Sequence, residues 1–295
     1  MKKELKAYRF NETTDVWEEG RNAEAGISAA ELTVVTFNVW FADYFFYTRC
    51  DALLEIVRNC NADVIGFQEV TLDFLEWLLD KQWVRDHYYI SDINGSTVNP
   101  YGVLLLSRFP VRRFWWHDLP TFMERKLLVA ELEVNEQTVQ VATVHLESMR
   151  EFAFMHELQL ETIFPLLDSS DHAILMGDFN FCATWEEKKA LIDSRYQDMW
   201  SVLRGDEPGY TEDTDINLMR LLIKNEDTHV RFDRILLRSP SWQAKSIALL
   251  GTQPVLPDDL YVFPSDHFGL VATVVQLGIN NPPVCHSERN EESLV

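Results

Sequence analysis

The chain has 295 residues, of which 47 are Asp or Glu and 26 are Lys or Arg, so its formal net charge is −21. This acidity disfavours non-specific binding to phosphate backbones and to anionic membrane faces, so a polyanionic substrate needs local help from a metal ion or a small basic patch. Hydrophobic residues make up 46% of the sequence, which is ample for a sizeable core.

Two features bear on the compartment. No stretch approaches the roughly 18 apolar residues of a membrane span, and the charged N-terminus lacks the apolar run of a signal peptide. The four cysteines form no C-x-x-C pair, and a chain of this length does not depend on disulfides. We therefore expect a reduced, cytoplasmic protein, nuclear if eukaryotic, that is monomeric and makes no membrane contact.

The two ends of the chain differ from its middle. Residues 1–30 are polar and weakly periodic, which predicts a loosely ordered leader, and residues 278–295 have no apolar pattern, which predicts a disordered tail. Residues 31–277 contain no Pro/Gly/Ser-rich linker and no repeat. They are therefore predicted to form one continuous domain.

The first part of this domain alternates between strands and helices. A β-branched strand over 32–39 precedes a helix over 49–60, whose apolar residues recur at helical spacing, and a buried strand over 64–67. Thr71 is a suitable N-cap for the next helix, which places an apolar face toward the core.

The pattern then changes to consecutive strands before helices return. Asn135-Glu136 is an acceptable hairpin turn between two of these strands. Blocks of strands between helices predict a four-layer α-β-β-α sandwich of two mixed sheets with the helices on the outside. The remaining predicted elements are strands over 102–106, 111–116, 127–134 and 138–145, a helix over 151–167 disturbed near Pro165, a strand over 173–176, a helix over 186–193, and strands over 232–237 and 269–277.

Polar clusters accompany six of the apolar strands, mostly at the strand ends, where a rigid sheet can hold reactive groups at a common rim. Any one of them is explained by a turn, a helix cap or a satisfied core histidine. Together they supply acids, amides and imidazoles in numbers that turns do not explain. The clusters centre on Asn38, Glu69, His145, Asp178 with Asn180, Asp233, and Asp266 with His267.

This set of side chains has a definite chemical meaning. Carboxylates and amides are hard oxygen donors that suit Mg²⁺ or Mn²⁺ and not zinc. Imidazoles donate hydrogen bonds to a phosphate that gains charge, and a carboxylate can deprotonate water. The chain has no G-x-S-x-G elbow and no Walker-type loop. The sequence therefore predicts metal-dependent hydrolysis of a phosphoester without a covalent nucleophile.

The ordered motifs T-x-N, Q-E, H-x-E, G-D-x-N, D-R-I and S-D-H resemble the endonuclease/exonuclease/phosphatase superfamily between about Leu32 and Leu277. The resemblance makes 31–277 the catalytic domain. Further segments resemble one branch, the type 2 tyrosyl-DNA phosphodiesterases. These segments cover residues 123–128, 145–148, 210–217, 231–235 and 265–270.

The resemblance implies a role for each matching residue. Glu69 would be the main ligand of Mg²⁺, with Mn²⁺ as the alternative ion, and Asn38 beside it would contact metal or phosphate. Asp178 would orient the attacking water as general base, and Asn180 would bind a phosphate oxygen.

The remaining implied roles concern developing charge and substrate. His267, with Asp266 nearby, would stabilise the charge on the phosphorus centre, and His145 and Ser148 would line the phosphate site. The other implied contacts are Asp233 as a hydrogen-bonding support, and Arg125 and Arg231 as guanidinium groups that grip a nucleic-acid backbone.

The implied substrate is a DNA end that carries a covalent 5′-tyrosyl adduct. One departure bears on it, because the branch usually has an aromatic residue where Glu212 stands. Two alternatives therefore stay open. The same chemistry could act on another substrate, as in nucleases and in inositol-phosphate or sphingomyelin-type phosphodiesterases. The chain could also be an inactive binding module that keeps the fold.

Overall fold

The computed structural model describes residues 2–20, 26–182, 191–256 and 258–278. The strands are β1 (Lys3–Leu5), β2 (Tyr8–Asn11), β3 (Val16–Glu19), β4 (Glu31–Asn38), β5 (Val64–Val70), β6 (Tyr89–Ile90), β7 (Gly102–Ser107), β8 (Arg113–Asp118), β9 (Lys126–Val134), β10 (Gln137–His145), β11 (His172–Asp178), β12 (Gln197–Asp198), β13 (Glu212–Asp213), β14 (His229–Val230), β15 (Asp233–Arg238), β16 (Trp242–Leu250) and β17 (Gly269–Gln276). The helices are α1 (Phe46–Asn59), α2 (Leu72–Leu79), α3 (Gln82–His87), α4 (Met155–Leu167), α5 (Met199–Arg204) and α6 (Leu218–Lys224), with a 3-10 turn at Arg150–Phe152.

Two large sheets form the frame. One has seven strands in the order β1-β8-β9-β10-β11-β15-β12, and the other has eight in the order β16-β17-β4-β5-β7-β6-β2-β3. Both are mixed, because β10 runs parallel to β11 and β4 runs parallel to β5, whereas their other neighbours are antiparallel. A separate small ribbon pairs β13 with β14.

The core divides into layers that explain why the strands look apolar on both faces. In β4, Val34 packs between the two sheets, whereas the next residue, Val35, packs toward α1 and α2. On the far side, β10 and β11 pack against α4 through residues such as Ile163. Strands covered on both faces read as continuous apolar runs. The predicted four-layer α-β-β-α sandwich is confirmed.

Several local predictions are confirmed at the level of single residues. Thr71 caps α2, since its side chain accepts a hydrogen bond from the Phe74 N–H at 3.3 Å. Asn135 and Glu136 have φ values of 50° and 64°, and two successive positive φ values are typical of a tight hairpin turn. Pro165 lies in the last turn of α4, which begins at Met155, later than the predicted start.

The N-terminal segment differs from the predicted loosely ordered leader. β1 pairs with β8 at the edge of the first sheet, and β2 pairs with both β3 and β6 in the second. The ammonium groups of Lys2 and Lys3 lie over the rings of Trp115 and Trp116 at 4.1 and 4.4 Å. Strands of three or four partly exposed residues leave almost no periodicity in a sequence, because their stability comes from the sheet they join.

Some predictions fall outside the described residues. These are most of the helix over 186–193 and the tail beyond residue 278. Among the helices that the structure describes, none combines the length and apolarity needed to cross a membrane.

Candidate active site

The sheets bring distant strand ends to one place. In the eight-stranded sheet, Asn38 at the end of β4 lies beside Gln68 of β5. In the seven-stranded sheet, Asp178 at the end of β11 is paired with His145 of β10 on one side and with Asp233 of β15 on the other. Because the two sheets face each other, both groups open onto a common rim.

A hydrogen-bonding amide connects the two sheets at this rim. The Nδ2 of Asn38 lies 3.1 Å from Glu69 Oε1 and also 3.1 Å from Asp178 Oδ2. Its Oδ1 accepts the backbone N–H of Trp40 at 3.0 Å, which fixes the orientation of the amide. Ser265 ties the start of β17 to the same point, since its hydroxyl donates to the Asn38 carbonyl at 2.7 Å.

A bulge in β5 aims Glu69 into the site. The pairing of β5 with β7 is irregular between Phe67 and Val70, and Glu69 has φ 58°, a conformation rare outside glycine. Gln68 is buried and anchors the bulge, because its Nε2 donates to Thr143 Oγ1 at 2.8 Å. The freed carboxylate of Glu69 then accepts the Phe41 N–H at 3.2 Å.

The end of β11 is equally constrained. Gly177 has φ 137°, and a Cβ added there would lie 2.0 Å from the carbonyl oxygen of Val144, so only glycine fits. Asn180 has φ 53°, and its N–H donates to Asp178 Oδ1 at 2.8 Å. The Asn180 side chain donates to the carbonyl of Leu146 at 3.1 Å. The G-D-x-N sequence thus builds a turn that holds the Asp178 carboxylate in place.

His145 lies between a guanidinium and two carboxylates. Its Nδ1 is 2.9 Å from Nη1 of Arg125, and its Nε2 is 3.4 Å from Asp178 Oδ2 and 3.9 Å from Glu69 Oε1. Burial lowers the pKa of His145 well below its usual value, and the positive charges of Arg125 and His267 add to this effect. His145 is therefore neutral here.

His267 has the opposite environment. Its Nδ1 is 2.8 Å from Asp233 Oδ2 and its Nε2 is 3.2 Å from Glu212 Oε1. Ionised carboxylates only accept hydrogen bonds, so both ring nitrogens act as donors. Burial opposes a charge on this ring, but the charges of Asp233 and Asp178 outweigh burial and raise the pKa of His267 well above 6.5. His267 is therefore an imidazolium.

Burial also acts on the acids of the site. It raises the pKa of Asp178 to about 7, with His267 opposing the shift and the charges of Asp233 and Glu69 adding to it. It raises the pKa of Asp266 to about 6, although His267 is nearby. Asp266 also lies 4.0 Å from the Lys224 ammonium group. Buried carboxylates with such shifts are typical of functional sites.

The donor set fits a divalent cation. The ligand atoms of Asp178, Asp233 and His267 lie within 4.8 Å of one another, but His267 already uses both nitrogens on carboxylates. Asp233 Oδ1 is buried and has no hydrogen-bond partner within the described part of the chain. Hard oxygen donors with unbalanced negative charge suit Mg²⁺ or Mn²⁺. The carboxylates that gather here are Glu69, Asp178, Glu212, Asp233 and Asp266.

Three residues that the resemblance assigned to substrate have different surroundings. Ser148 and His145 contact the same guanidinium group. The Nη2 of Arg125 donates to the Ser148 hydroxyl at 3.2 Å, and its Nη1 lies 2.9 Å from Nδ1 of His145. Arg125 is buried and turned toward these two partners. Arg231 lies apart from the cluster, and its Nη1 binds the Asp198 carboxylate at 2.8 Å. Both guanidinium groups therefore have polar partners inside the protein. Their contact with a nucleic-acid backbone stays a prediction.

Several residues that complete the site have no role in the motifs predicted from the sequence. Glu212 is buried, and its Oε2 accepts from Arg220 Nε at 2.7 Å, which orients Oε1 toward His267. Thr211 accepts the Asp233 N–H at 3.1 Å, and Asn217 donates to the carbonyl of Ser265 at 2.9 Å. The T-E-D-T segment identified Glu212 only as a departure. Its contact with His267 depends on tertiary structure.

The chain is similar to proteins of one known family. The model of the Endonuclease/Exonuclease/phosphatase family matches residues 35–267. The chain belongs to this family. Within it, the chain is 29% identical over 251 residues to tyrosyl-DNA phosphodiesterase 2 of Xenopus laevis, which covers 80% of this chain and 65% of that relative. The chain thus spans less than two thirds of that relative's length.

Solved structures of family members have the same fold. Truncated TDP2 of Caenorhabditis elegans aligns with a TM-score of 0.69 at 24% identity, covering 83% of this chain and 97% of that one. TDP2 of D. rerio complexed with single-strand DNA product aligns with a TM-score of 0.67 at 22% identity, covering 83% and 99%. At these identities the likeness supports the shared fold.

Proposed function

We propose that this chain is a divalent-metal-dependent phosphodiesterase that removes 5′-tyrosyl adducts from DNA ends. The reaction type rests on one observation, the convergence of Glu69, Asp178, His145 and His267 around the Asn38 amide. The substrate rests on the relatives named tyrosyl-DNA phosphodiesterase 2 and on the D. rerio structure with a single-strand DNA product.

Glu69 would be the main ligand of the metal, with Asn38 beside it. Mg²⁺ is preferred to Mn²⁺ because it is more available in cells. A bound ion would offset the negative charge of the pocket and polarise a phosphoryl oxygen.

The chain's own residues then divide the remaining work. Asp178, held by Asn38 and by the Asn180 N–H, accepts a proton from the attacking water. His267, kept cationic by Asp233, stabilises the negative charge that develops on the phosphoryl oxygens, and Asp266 lies beside it. His145 adds a neutral hydrogen-bond donor. Asn180 and Ser148 complete the phosphate site.

A single assay tests the substrate. Purified protein is incubated with a 5′-phosphotyrosyl oligonucleotide in Mg²⁺, and in parallel with a chelator. We expect release of tyrosine with Mg²⁺ and none with chelator. The Asp178→Asn variant is the control for contaminating nucleases, and its rate should fall by about 10² to 10⁴. Failure of the wild-type protein to release tyrosine with Mg²⁺ would contradict the substrate.

One observation favours a second substrate class. Where the branch has an aromatic residue, this chain has Glu212, whose carboxylate is buried against Arg220 and offers no ring for stacking. A panel of lipid and inositol phosphodiesters beside the oligonucleotide decides the matter. If a small phosphodiester is hydrolysed several hundred times faster than the oligonucleotide, a difference of about 3.5 kcal/mol in activation free energy, the substrate belongs to this second class.

The same panel tests the non-enzymatic alternative. An inactive binding module would hydrolyse none of these substrates, and wild type and Asp178→Asn would behave alike. The cytoplasmic location and the monomeric state stay predictions. Fractionation of cells and light scattering of the purified protein test them.

A further inference from the structure

Arg125 precedes β9 and has a place in the site that the resemblance did not imply. Only 5% of its surface is exposed, so it is poorly placed to grip an extended substrate. Its guanidinium lies 5.4 Å from the ring centre of Tyr101. One terminal nitrogen donates to Ser148 Oγ at 3.2 Å, and the other lies 2.9 Å from Nδ1 of His145.

The chemistry of the two groups fixes the direction of the hydrogen bond. A guanidinium carries five N–H donors and no acceptor, and it keeps its charge at any physiological pH. The Nδ1 of His145 must therefore accept, with its lone pair toward Arg125. A neutral imidazole that accepts at Nδ1 carries its proton on Nε2.

The Nε2–H of His145 points into the catalytic pocket. Its neighbours there are Asp178 Oδ2 at 3.4 Å and Glu69 Oε1 at 3.9 Å, both of which are acceptors. The other tautomer would place an Nε2 lone pair against two carboxylates and an Nδ1–H against a guanidinium N–H. Both ends of the ring therefore favour the same tautomer.

We propose that Arg125 is a positioning residue that locks His145 in its neutral Nε2–H tautomer, so that a donor faces the reacting phosphoryl group. The residue acts through His145. The catalytic benefit rests on the proposed function, whereas the tautomer itself does not.

The tautomer can be read directly by nitrogen-15 NMR of histidine-labelled protein. The signals of the His145 ring nitrogens are assigned by their absence from the spectrum of His145→Gln. In wild type we expect an unprotonated Nδ1 and a protonated Nε2. Arg125→Lys keeps a donor and should keep this tautomer, whereas Arg125→Met removes the donor and should populate the Nδ1–H form. Ser148→Ala removes a different partner of Arg125 and is the matched control, with no change of tautomer.

Kinetics provide the second readout on any phosphodiester that the wild type hydrolyses. Arg125→Met should lower kcat by about tenfold to a hundredfold with KM changed little, by analogy with the loss of a partner that orients a metal-binding histidine. Arg125→Lys should recover most of that loss. Where Arg125→Met does not fold, Arg125→Gln replaces it, because its amide can donate or accept and should allow both tautomers.

Three outcomes would overturn the proposal. They are a wild-type His145 protonated on Nδ1, a wild-type imidazolium, and an unchanged tautomer in folded Arg125→Met or Arg125→Gln. A protein that hydrolyses no phosphodiester but shows the expected tautomers contradicts the proposed function and leaves the role of Arg125 in orienting His145 intact.

Discussion

At the scale of single residues, the site places two buried histidines in opposite charge states by the partners it gives them. His145 faces the guanidinium of Arg125 at 2.9 Å, whereas His267 lies between the carboxylates of Asp233 and Glu212 at 2.8 and 3.2 Å. One ring is a neutral donor and the other is a cation. Acid–base sites often work through titratable groups whose surroundings push their pKa values apart.

Glu212 is predicted to stabilise the fold as well as the site. Its side chain and that of Arg220 are 8% and 9% exposed and lie 2.7 Å apart. Glu212→Ala leaves the Arg220 guanidinium buried without its partner, so we expect a loss of about 3 to 5 kcal/mol in the free energy of unfolding, measured with urea.

The matched control for this substitution is Glu55→Ala. Glu55 forms an exposed pair with Arg58, the two side chains being 57% and 55% exposed, and its loss should cost no more than about 0.5 kcal/mol. Equal losses in the two variants would show that the buried pair has no special weight.

At the scale of elements, the parallel pairing of β10 with β11 depends on Gly177. An added Cβ would lie 2.0 Å from the Val144 carbonyl, at a φ of 137°. Gly177→Ala should therefore lower the free energy of unfolding by about 4 kcal/mol, among the larger effects of a single substitution, as measured by urea unfolding.

Gly205, at the end of α5, is the control for this effect. It also has a positive φ, 61°, but nothing lies within 4 Å of an added Cβ. Gly205→Ala should cost only about 1 to 3 kcal/mol, the strain of a backbone conformation (φ 61°, ψ −119°) that residues other than glycine seldom adopt. If Gly177→Ala and Gly205→Ala lowered the free energy of unfolding equally, the predicted clash between the added Cβ and the Val144 carbonyl would be wrong.

A polar group buried across three strands makes stability depend on pH. Glu131 of β9 accepts from Arg113 Nε of β8 at 2.7 Å, from Trp115 Nε1 of β8 at 2.9 Å and from Gln140 Nε2 of β10 at 3.1 Å. Burial alone would raise the pKa of Glu131, but these hydrogen bonds outweigh it and hold the pKa below 4.5.

The direction of the effect follows from this lowered pKa. The stabilisation by Glu131 is complete above the unfolded pKa and is lost as the pH falls through the lower folded value. Glu131→Gln should cost about 2 kcal/mol near neutral pH, as expected for hydrogen bonds to a charged group. In urea unfolding at a series of pH values, the wild-type and variant stabilities should converge below pH 4.5. A constant gap between them would be inconsistent with this pKa.

At the same scale, the sequence predicts those strands that are long and buried on both faces. β4, β9, β10 and β11 have seven to nine residues, nearly all buried, and their apolar runs were visible. β16 was missed, because its pairing with β17 shifts between Ala244 and Ser246 and its burial alternates poorly. Short strands such as β13 depend on the sheet or ribbon around them.

The sequence predicts which residues form the site better than it predicts the contacts that each of them makes. Polar residues at the ends of apolar strands indicated Asn38, Glu69, Asp178 and His267, and the two sheets bring these four side chains together. The sequence does not tell which donors are satisfied inside the protein. The motif alone therefore predicts a substrate contact for Arg231, and the structure adds that its guanidinium pairs with Asp198.

At the scale of the whole molecule, the net charge of −21 and the buried carboxylates of the pocket both repel a negatively charged substrate. Both oppose the approach of a phosphodiester unless a cation is present. The proposed hydrolysis therefore depends most on the metal and on its proposed ligand Glu69, which the β5 bulge turns into the site.

The most direct test is the rate of phosphodiester hydrolysis as a function of Mg²⁺ concentration, for wild type and Glu69→Ala. We predict a saturable dependence on Mg²⁺ in wild type and a curve displaced to higher Mg²⁺ by at least about tenfold in the variant, since even an outer partner of a metal ligand has an effect of that size. Hydrolysis that needs no metal, or superimposable curves for the two proteins, would contradict the account.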